Sequence, residues 1–280
     1  MNDLLRDTAA PALFALLAWW FGTGAILWLV RRPTGGFRGR MAAVTVAGLA
    51  SVWVAWHSMQ VSGPAAAYLG FASVIVMWGW HEMAFLSGWI TGGRKSPLTP
   101  GARGLLRFKE SVQVVLHHEL ALLFNFALLW VLQQGHPNHV ALCTFALLWC
   151  MRLSAKLNLY FGVPEVGEQY LPDHLKYLGS YFRRGRVSLF FWGSIAMASG
   201  SWLWLVGQAR SGAVEVTTGW VLLAALLGLA IVEHLIMMFP LPLQKLWGWA
   251  MGTPAAVAAP GVAAAVAAVP ALPGASGERP

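Results

Sequence analysis

The chain has 280 residues, of which 58% are hydrophobic and only 11% charged, with 16 Trp, 30 Gly and a net charge of +8. Soluble domains carry about 25% charged residues, so this composition excludes an ordinary water-soluble enzyme and points to an integral membrane protein. The basic residues sit in short clusters between apolar runs, which reads as topology signals facing an anionic leaflet and not as a nucleic-acid surface.

The opening "MNDLLRDTAA" is acidic where a secretory leader would be basic, and no small-residue cleavage site follows it. The first apolar run is therefore expected to be a retained span. A spanning helix needs about 20 mostly apolar residues, and seven stretches qualify: 11–30, 41–61, 65–90, 111–133, 140–161, 189–208 and 220–239. The expected fold is an all-α polytopic membrane protein. The fifth stretch is unusual in carrying Arg152 and Lys156. It also holds Cys143 and Cys150, which lie about 10 Å apart along a helix axis at ~1.5 Å per residue, too far to form a disulfide with each other.

The connections alternate in charge. "RRPTGGFRGR" carries four Lys or Arg, "GGRKSPLTPGARGLLRFK" five, and Lys176 with "RRGR" four, whereas "VSGPAAAY" and "QQGHPNH" carry none and "ARSGAVEVTTG" one. The positive-inside rule then predicts an N-terminus outside and a C-terminus in the cytoplasm. The long connection 163–187 is expected to be cytoplasmic and amphipathic. Pro172 suits a first helical turn, and Leu171, Leu175, Leu178 and Phe182 fall on one α-helical stripe. Tyr170, Leu171, Leu175, Tyr177, Tyr181 and Phe182 are its candidate partner-binding residues. "LQKLWGWAM" reads as a second interfacial piece. Residues 1–252 thus form a single transmembrane bundle, and the Ala/Pro-rich tail 253–280 has no core-forming pattern and is expected to be disordered.

Ionisable side chains inside spans are costly and are functional candidates by default. Here they are His57, His81, Glu82, His117, His118, Glu119, Arg152, Lys156, Glu233 and His234, with Asn158 beyond the two cations and Glu110 at the entrance of the fourth span. Most of these fall about 10–20 Å from the basic ends of their helices at ~1.5 Å per residue, with His57 the exception nearer the outer end of its helix, which predicts one intramembrane polar layer. Arg152 and Lys156 are four apart and share a helix face, so opposing carboxylates are required, and Glu82, Glu119 and Glu233 are available. One reading is an internal salt-bridge network that fixes the packing.

The other reading is ligation. "HE", "HHE" and "EH" on three helices supply imidazole and carboxylate, the ligand set of non-haem iron, manganese or zinc; His81, His118, Glu119, Glu233 and His234 are the candidate metal ligands. Neighbouring residues point about 100° apart, so only one of each pair would face a single centre, and neither Glu-x-x-His nor HExxH occurs. Axial ligation of a tetrapyrrole by His81, His117 or His118 is a further possibility, with Trp78, Trp80 and Trp89 nearby. The glycine-rich "GGFRGR" and "TGGRK" lack P-loop spacing and read as turns.

"HEMAFLSGWITG" (81–92), "HHELAL" (117–122) and above all "RLSAKLNLYFGVPEVGEQYLPDHLKYLGSYF" (152–182) resemble the photosynthetic complex assembly protein 2 family, also called PuhE, of purple photosynthetic bacteria. The resemblance covers residues 10–240 and leaves out the tail. The chain departs from the family pattern at "TGGR", where proline is usual, and at "GVPE", where asparagine is usual. The resemblance implies a multi-pass protein of the bacterial inner membrane that helps assemble the reaction-centre and light-harvesting apparatus, through bacteriochlorophyll supply or delivery. Membrane lipid, photosynthetic subunits and pigment enzymes are the implied partners, with no nucleic acid. It carries over no catalytic residue, so a non-enzymatic factor is the first expectation. A membrane metalloenzyme acting on a tetrapyrrole or lipid is the alternative, and a transporter the third.

Overall fold

The computed structural model describes residues 5–32, 36–168, 171–239 and 247–251. Tyr170 and the tail 253–280 lie outside the described residues. Within them, seven helices are long and apolar enough to cross a membrane, and no strand is formed. Helices are the natural outcome because lipid offers no hydrogen bonds, so each spanning segment must satisfy its own backbone. The protein is an all-α, multi-pass membrane protein.

A turn of π-helix (Leu5–Ala9) leads into α1 (Ala10–Arg31). There follow α2 (Phe37–Met59), α3 (Pro64–Leu86), α4 (Gly104–Gln113), α5 (Leu116–Gln133), α6 (Val140–Phe161), α7 (Leu189–Ser211), α8 (Val214–Ile236) and the short α9 (Gly248–Met251). Pro11 and Pro64 occupy first helical turns, where a missing N–H is harmless. The central helix is α3, which packs against α1, α2, α5, α6 and α8. Its inward face is small or apolar: Ala67, Phe71, Val74 and Met77 are all buried. Helices α1 and α7 are the most exposed spans.

The fourth span differs from its sequence expectation. The stretch 111–133 is not one helix; the chain breaks at Val114–Val115, so the apolar span begins at Leu116 and the amphipathic α4 precedes it. The connection after α3 docks into the break. His118 N–H donates to the Thr91 carbonyl at 2.9 Å, and Arg94 N–H donates to the Gln113 carbonyl at 3.5 Å. These bonds satisfy backbone groups that the break frees. Gly92 allows the approach: a Cβ there would lie 2.0 Å from the Gln113 oxygen.

The connection 163–187 also departs from expectation. Asp173–Tyr181 is a nine-residue 3₁₀ helix with Pro172 at its N-cap, not an α-helix. In a 3₁₀ helix residues three apart are eclipsed, so the inward row is Leu175, Leu178 and Tyr181, and Phe182 falls at the C-cap. That row packs on Phe85 and Val114, with Leu171, Tyr177 and Phe182 covering its edges. Leu175 is 1% and Tyr181 4% exposed, so of the side chains expected to form a docking surface, Leu171, Leu175, Tyr177, Tyr181 and Phe182 pack in the seam between this segment and the bundle.

Hydrogen bonds lock the same seam. Arg94 Nε donates to Tyr181 Oη at 2.8 Å, and Tyr181 Oη donates to the Ser96 carbonyl at 2.9 Å. Arg107 donates to the Tyr160 and Tyr181 carbonyls and lies over the Tyr160 ring. The connections 87–103 and 163–187 thus close the end of the bundle that carries the basic loops.

Candidate functional site

Two ion pairs anchor the polar layer, both on α6. Arg152 donates to Glu82 of α3 at 2.8 Å. Lys156, one turn later, pairs with Glu119 of α5, whose second oxygen accepts the Trp149 indole N–H at 3.1 Å. Two cations four residues apart on one helix face would repel each other; here each has a carboxylate from a different helix.

The remaining polar residues divide around these pairs. His81 Nε2 lies 2.9 Å from the Asn125 amide, and its ring is edge-on to that of His118 with centroids 6.3 Å apart. His118 is 1% exposed and packs against Phe85. His234 is buried on α8. Its Nδ1 is 2.8 Å from the Ala230 carbonyl, which can only accept, so Nδ1 donates; Nε2 is hydrogen-bonded with the Ser154 hydroxyl at 3.0 Å. Asn158 turns away from the charges and donates to Ser194 of α7 at 3.2 Å. His117 is exposed beside Gly93 and stands outside the layer. Glu110 also stands apart: both its oxygens are taken by Thr99, through the backbone N–H at 3.0 Å and the hydroxyl at 2.7 Å, with Arg94 at 3.1 Å. Those bonds hold its carboxyl below the usual carboxylate range.

Among the described residues, no three His, Cys, Asp or Glu side chains converge in an arrangement that could hold a metal ion. The expected metal set of His81, His118, Glu119, Glu233 and His234 is not brought to one centre among the described residues. Glu119 is committed to Lys156 and Trp149, His234 has both nitrogens satisfied, and His81 and His118 face α5 and Phe85.

What the layer does border is a cleft of about 440 Å³ between α1, α3, α6 and α8. Its walls include Trp19, Trp78, Leu148 and Leu226, and its polar groups are Glu82, Arg152, Glu233, His234 and Glu165. Glu233 is accessible because it lines this opening, and its neighbours are the Trp19 indole and the Arg152 guanidinium. A second cavity of about 270 Å³ lies on the other side of Arg152, walled by Phe85, Lys156, Tyr160 and the 3₁₀ segment. Of the three tryptophans expected near a flat ligand, Trp78 lines the cleft. Trp80 instead donates to Thr45 at 2.9 Å, and Trp89 is exposed at the surface.

A family model described as "Protein of unknown function (DUF3623)" matches residues 5–258. The chain belongs to that family. It is also similar to the "Uncharacterized 30.4 kDa protein in puhA 5'region" of Rhodobacter capsulatus, at 40% identity over 245 residues, covering 85% of this chain and 89% of the relative. No solved structure matches the chain.

The geometry bears on what this DUF3623 member can hold. Cleft-lining residues provide one guanidinium, carboxylates and aromatic walls, but no imidazole with a free nitrogen, because His234 is satisfied on both sides. Axial ligation of a tetrapyrrole by His81, His117 or His118 does not fit the cleft, since none of the three lines it. Sequence reasoning missed Trp19, Asn125, Trp149, Ser154 and Glu165. Asn125 was the most visible of them, a lone amide inside "LLFNFALL"; the others look like ordinary span or loop residues until the helices are assembled.

Proposed function

We propose that this protein is an integral membrane factor for assembly of the photosynthetic reaction-centre and light-harvesting apparatus. It works in the bacterial inner membrane, with its N-terminus outside and its basic loops in the cytoplasm. One observation carries the reading: a relative 40% identical over most of both chains is named for its position in the region 5' of puhA, a photosynthesis gene. The molecule suits such a role. It has a bundle with an intramembrane cleft of ligand size, since small-molecule sites measure about 300–1,000 Å³, and spans α1 and α7 leave broad apolar faces in the bilayer for neighbouring subunits. Bacteriochlorophyll supply or delivery is the step we assign to it, and a pigment held here would rest on the Trp19 and Trp78 walls and the Glu82–Arg152 pair. Lipid, photosynthetic subunits and pigment enzymes are its partners.

The test is deletion of the gene in its own bacterium, followed by absorption spectra of membranes normalised to protein. Loss of the reaction-centre and antenna bands, restored by the intact gene in trans, is the expected result. Spectra unchanged from the parent strain during phototrophic growth would refute the role.

A further inference from the structure

We propose that the arginine turn between α6 and α7 is a binding site for an anionic phospholipid, with the phosphate on Arg183, Arg184 and Arg186 and the acyl chains on Phe161, Leu189 and Phe190. The turn is pinned by its backbone. Arg183 N–H donates to the Leu159 carbonyl in the last turn of α6 at 2.8 Å, Val163 N–H donates to the Arg183 carbonyl at 3.1 Å, and Gly185 N–H donates to the Val163 carbonyl at 3.1 Å. Val163 is fully buried, which anchors these bonds in the bundle. On the other side the Ser188 hydroxyl caps α7 by accepting the Phe191 N–H at 3.3 Å. The guanidinium-bearing residues of "RRGR" are thus held, all exposed, where one span ends and the next begins.

Their charge is unmatched within the protein. Among the described residues, none of the three makes an ion pair or a side-chain hydrogen bond. The acidic side chains of the same connection are engaged elsewhere: Asp173 pairs with Lys176 at 2.6 Å, Glu165 accepts the Gly167 N–H at 3.1 Å, and Glu168 lies against Gly179. Other cations at this end have partners, since Arg94 pairs with Glu110 and Arg107 donates to the Tyr160 and Tyr181 carbonyls. Clustered guanidiniums favour an anion with several acceptor oxygens, and their forked N–H groups match phosphate.

The surface beside the turn says which phosphate. Leu189 is 91%, Phe161 43% and Phe190 36% exposed. The Phe161 and Phe190 rings lie 5.1 Å apart, and Tyr160 and Phe108 carry the aromatic strip on to α4 at centroid distances of 5.3 and 6.2 Å. Free phosphate or an acidic peptide would make no use of this strip. A phospholipid covers it with hydrocarbon while its headgroup meets the arginines.

The test uses the full chain purified in an uncharged detergent. Dioleoyl phosphatidylglycerol and dioleoyl phosphatidylcholine are titrated in mixed micelles, beside inorganic phosphate and a hexaglutamate peptide. Binding is read from the upward shift of the thermal transition in tryptophan fluorescence. Phosphatidylglycerol is expected to raise the transition in a saturable way, and the other three are not. R183Q/R184Q/R186Q should weaken phosphatidylglycerol binding at least about tenfold. R31Q/R38Q, which removes two exposed cations from the α1–α2 connection, should leave it unchanged. If the triple variant fails to fold, R184Q/R186Q takes its place and must lower the affinity. Equal stabilisation by phosphatidylcholine, inorganic phosphate or hexaglutamate would overturn the proposal, as would full affinity in the arginine-turn variants or an equal loss in R31Q/R38Q. The inference rests on the spanning fold and not on the assembly role, so it stands or fails in detergent whatever the spectra of a deletion strain show.

Discussion

The Lys156–Glu119 pair gives the sharpest quantitative test of the architecture. Both side chains are only about one-fifth exposed, at 20% and 21%, and Lys156 lines the second cavity. Removing one member of a buried pair costs roughly 3–5 kcal/mol, because the survivor is left uncompensated. We take the lower end, about 3 kcal/mol, for Lys156→Met and for Glu119→Gln, since the partial exposure softens the penalty and the Gln can still accept from Trp149. The double variant has no stranded charge and should cost no more than either single change, giving a coupling of about 3 kcal/mol. At about 2–4 °C per kcal/mol for a chain of this size, each single change should lower the melting temperature by about 6–12 °C, and the double by no more. The assay is tryptophan fluorescence during heating in mild detergent, with all four proteins at one concentration. If the double loss equals the sum of the singles to within about 0.5 kcal/mol, the two side chains do not act as a pair and the account of the layer is wrong.

Three further outcomes can be checked. Gly92→Ala should destabilise the protein strongly, because its Cβ would lie 2.0 Å from the Gln113 oxygen; faster proteolysis within 87–103 is the readout, and unchanged cleavage would argue against the docked turn. Glu110 should give the fold an acid limb. Its carboxyl is held below the ordinary value of 4.5 first by the Thr99 N–H, then by the Thr99 hydroxyl and Arg94, so its stabilisation is complete above that value and is lost as pH falls through the depressed one. Glu110→Gln should flatten the fall in melting temperature below about pH 4.5, and an unchanged slope would remove Glu110 from the account. For orientation, a phosphatase reporter active only outside the cytoplasm should be active when fused after Gly135 and silent after Arg103; the opposite pattern would invert the proposed topology.

Much of the fold was legible in the sequence because a span advertises itself by length and composition. Each of the seven apolar stretches contains one spanning helix, including the one with Arg152 and Lys156, whose charges are matched across the interface by Glu82 and Glu119. The break at Val114–Val115 was not legible. Its cause is tertiary, a loop carbonyl and N–H from 91–94 taking the place of in-helix bonds. The 3₁₀ segment was missed for a related reason: residues 171–182 support an α-helical stripe and a 3₁₀ row about equally well, and only the packing against Phe85 and Val114 selects the second. In the polar layer, spacing correctly put the two cations on one face and demanded anions. It could not say that His117 points away, that Asn158 turns to Ser194, or that His234 is sealed by Ala230 and Ser154, because adjacent residues on a helix face different neighbours and sequence does not name them.

The placement of Arg152 and Lys156 has a mechanical consequence. They stand one turn apart on α6 but grip separate helices, α3 through Glu82 and α5 through Glu119, so α6 resembles a shaft clamped at two heights. Rotating it about its axis would loosen both grips together, and because Arg152 lines the cleft the same motion would reshape it. The wall of the cleft that Arg152 forms is therefore set by how α6 sits against α3 and α5.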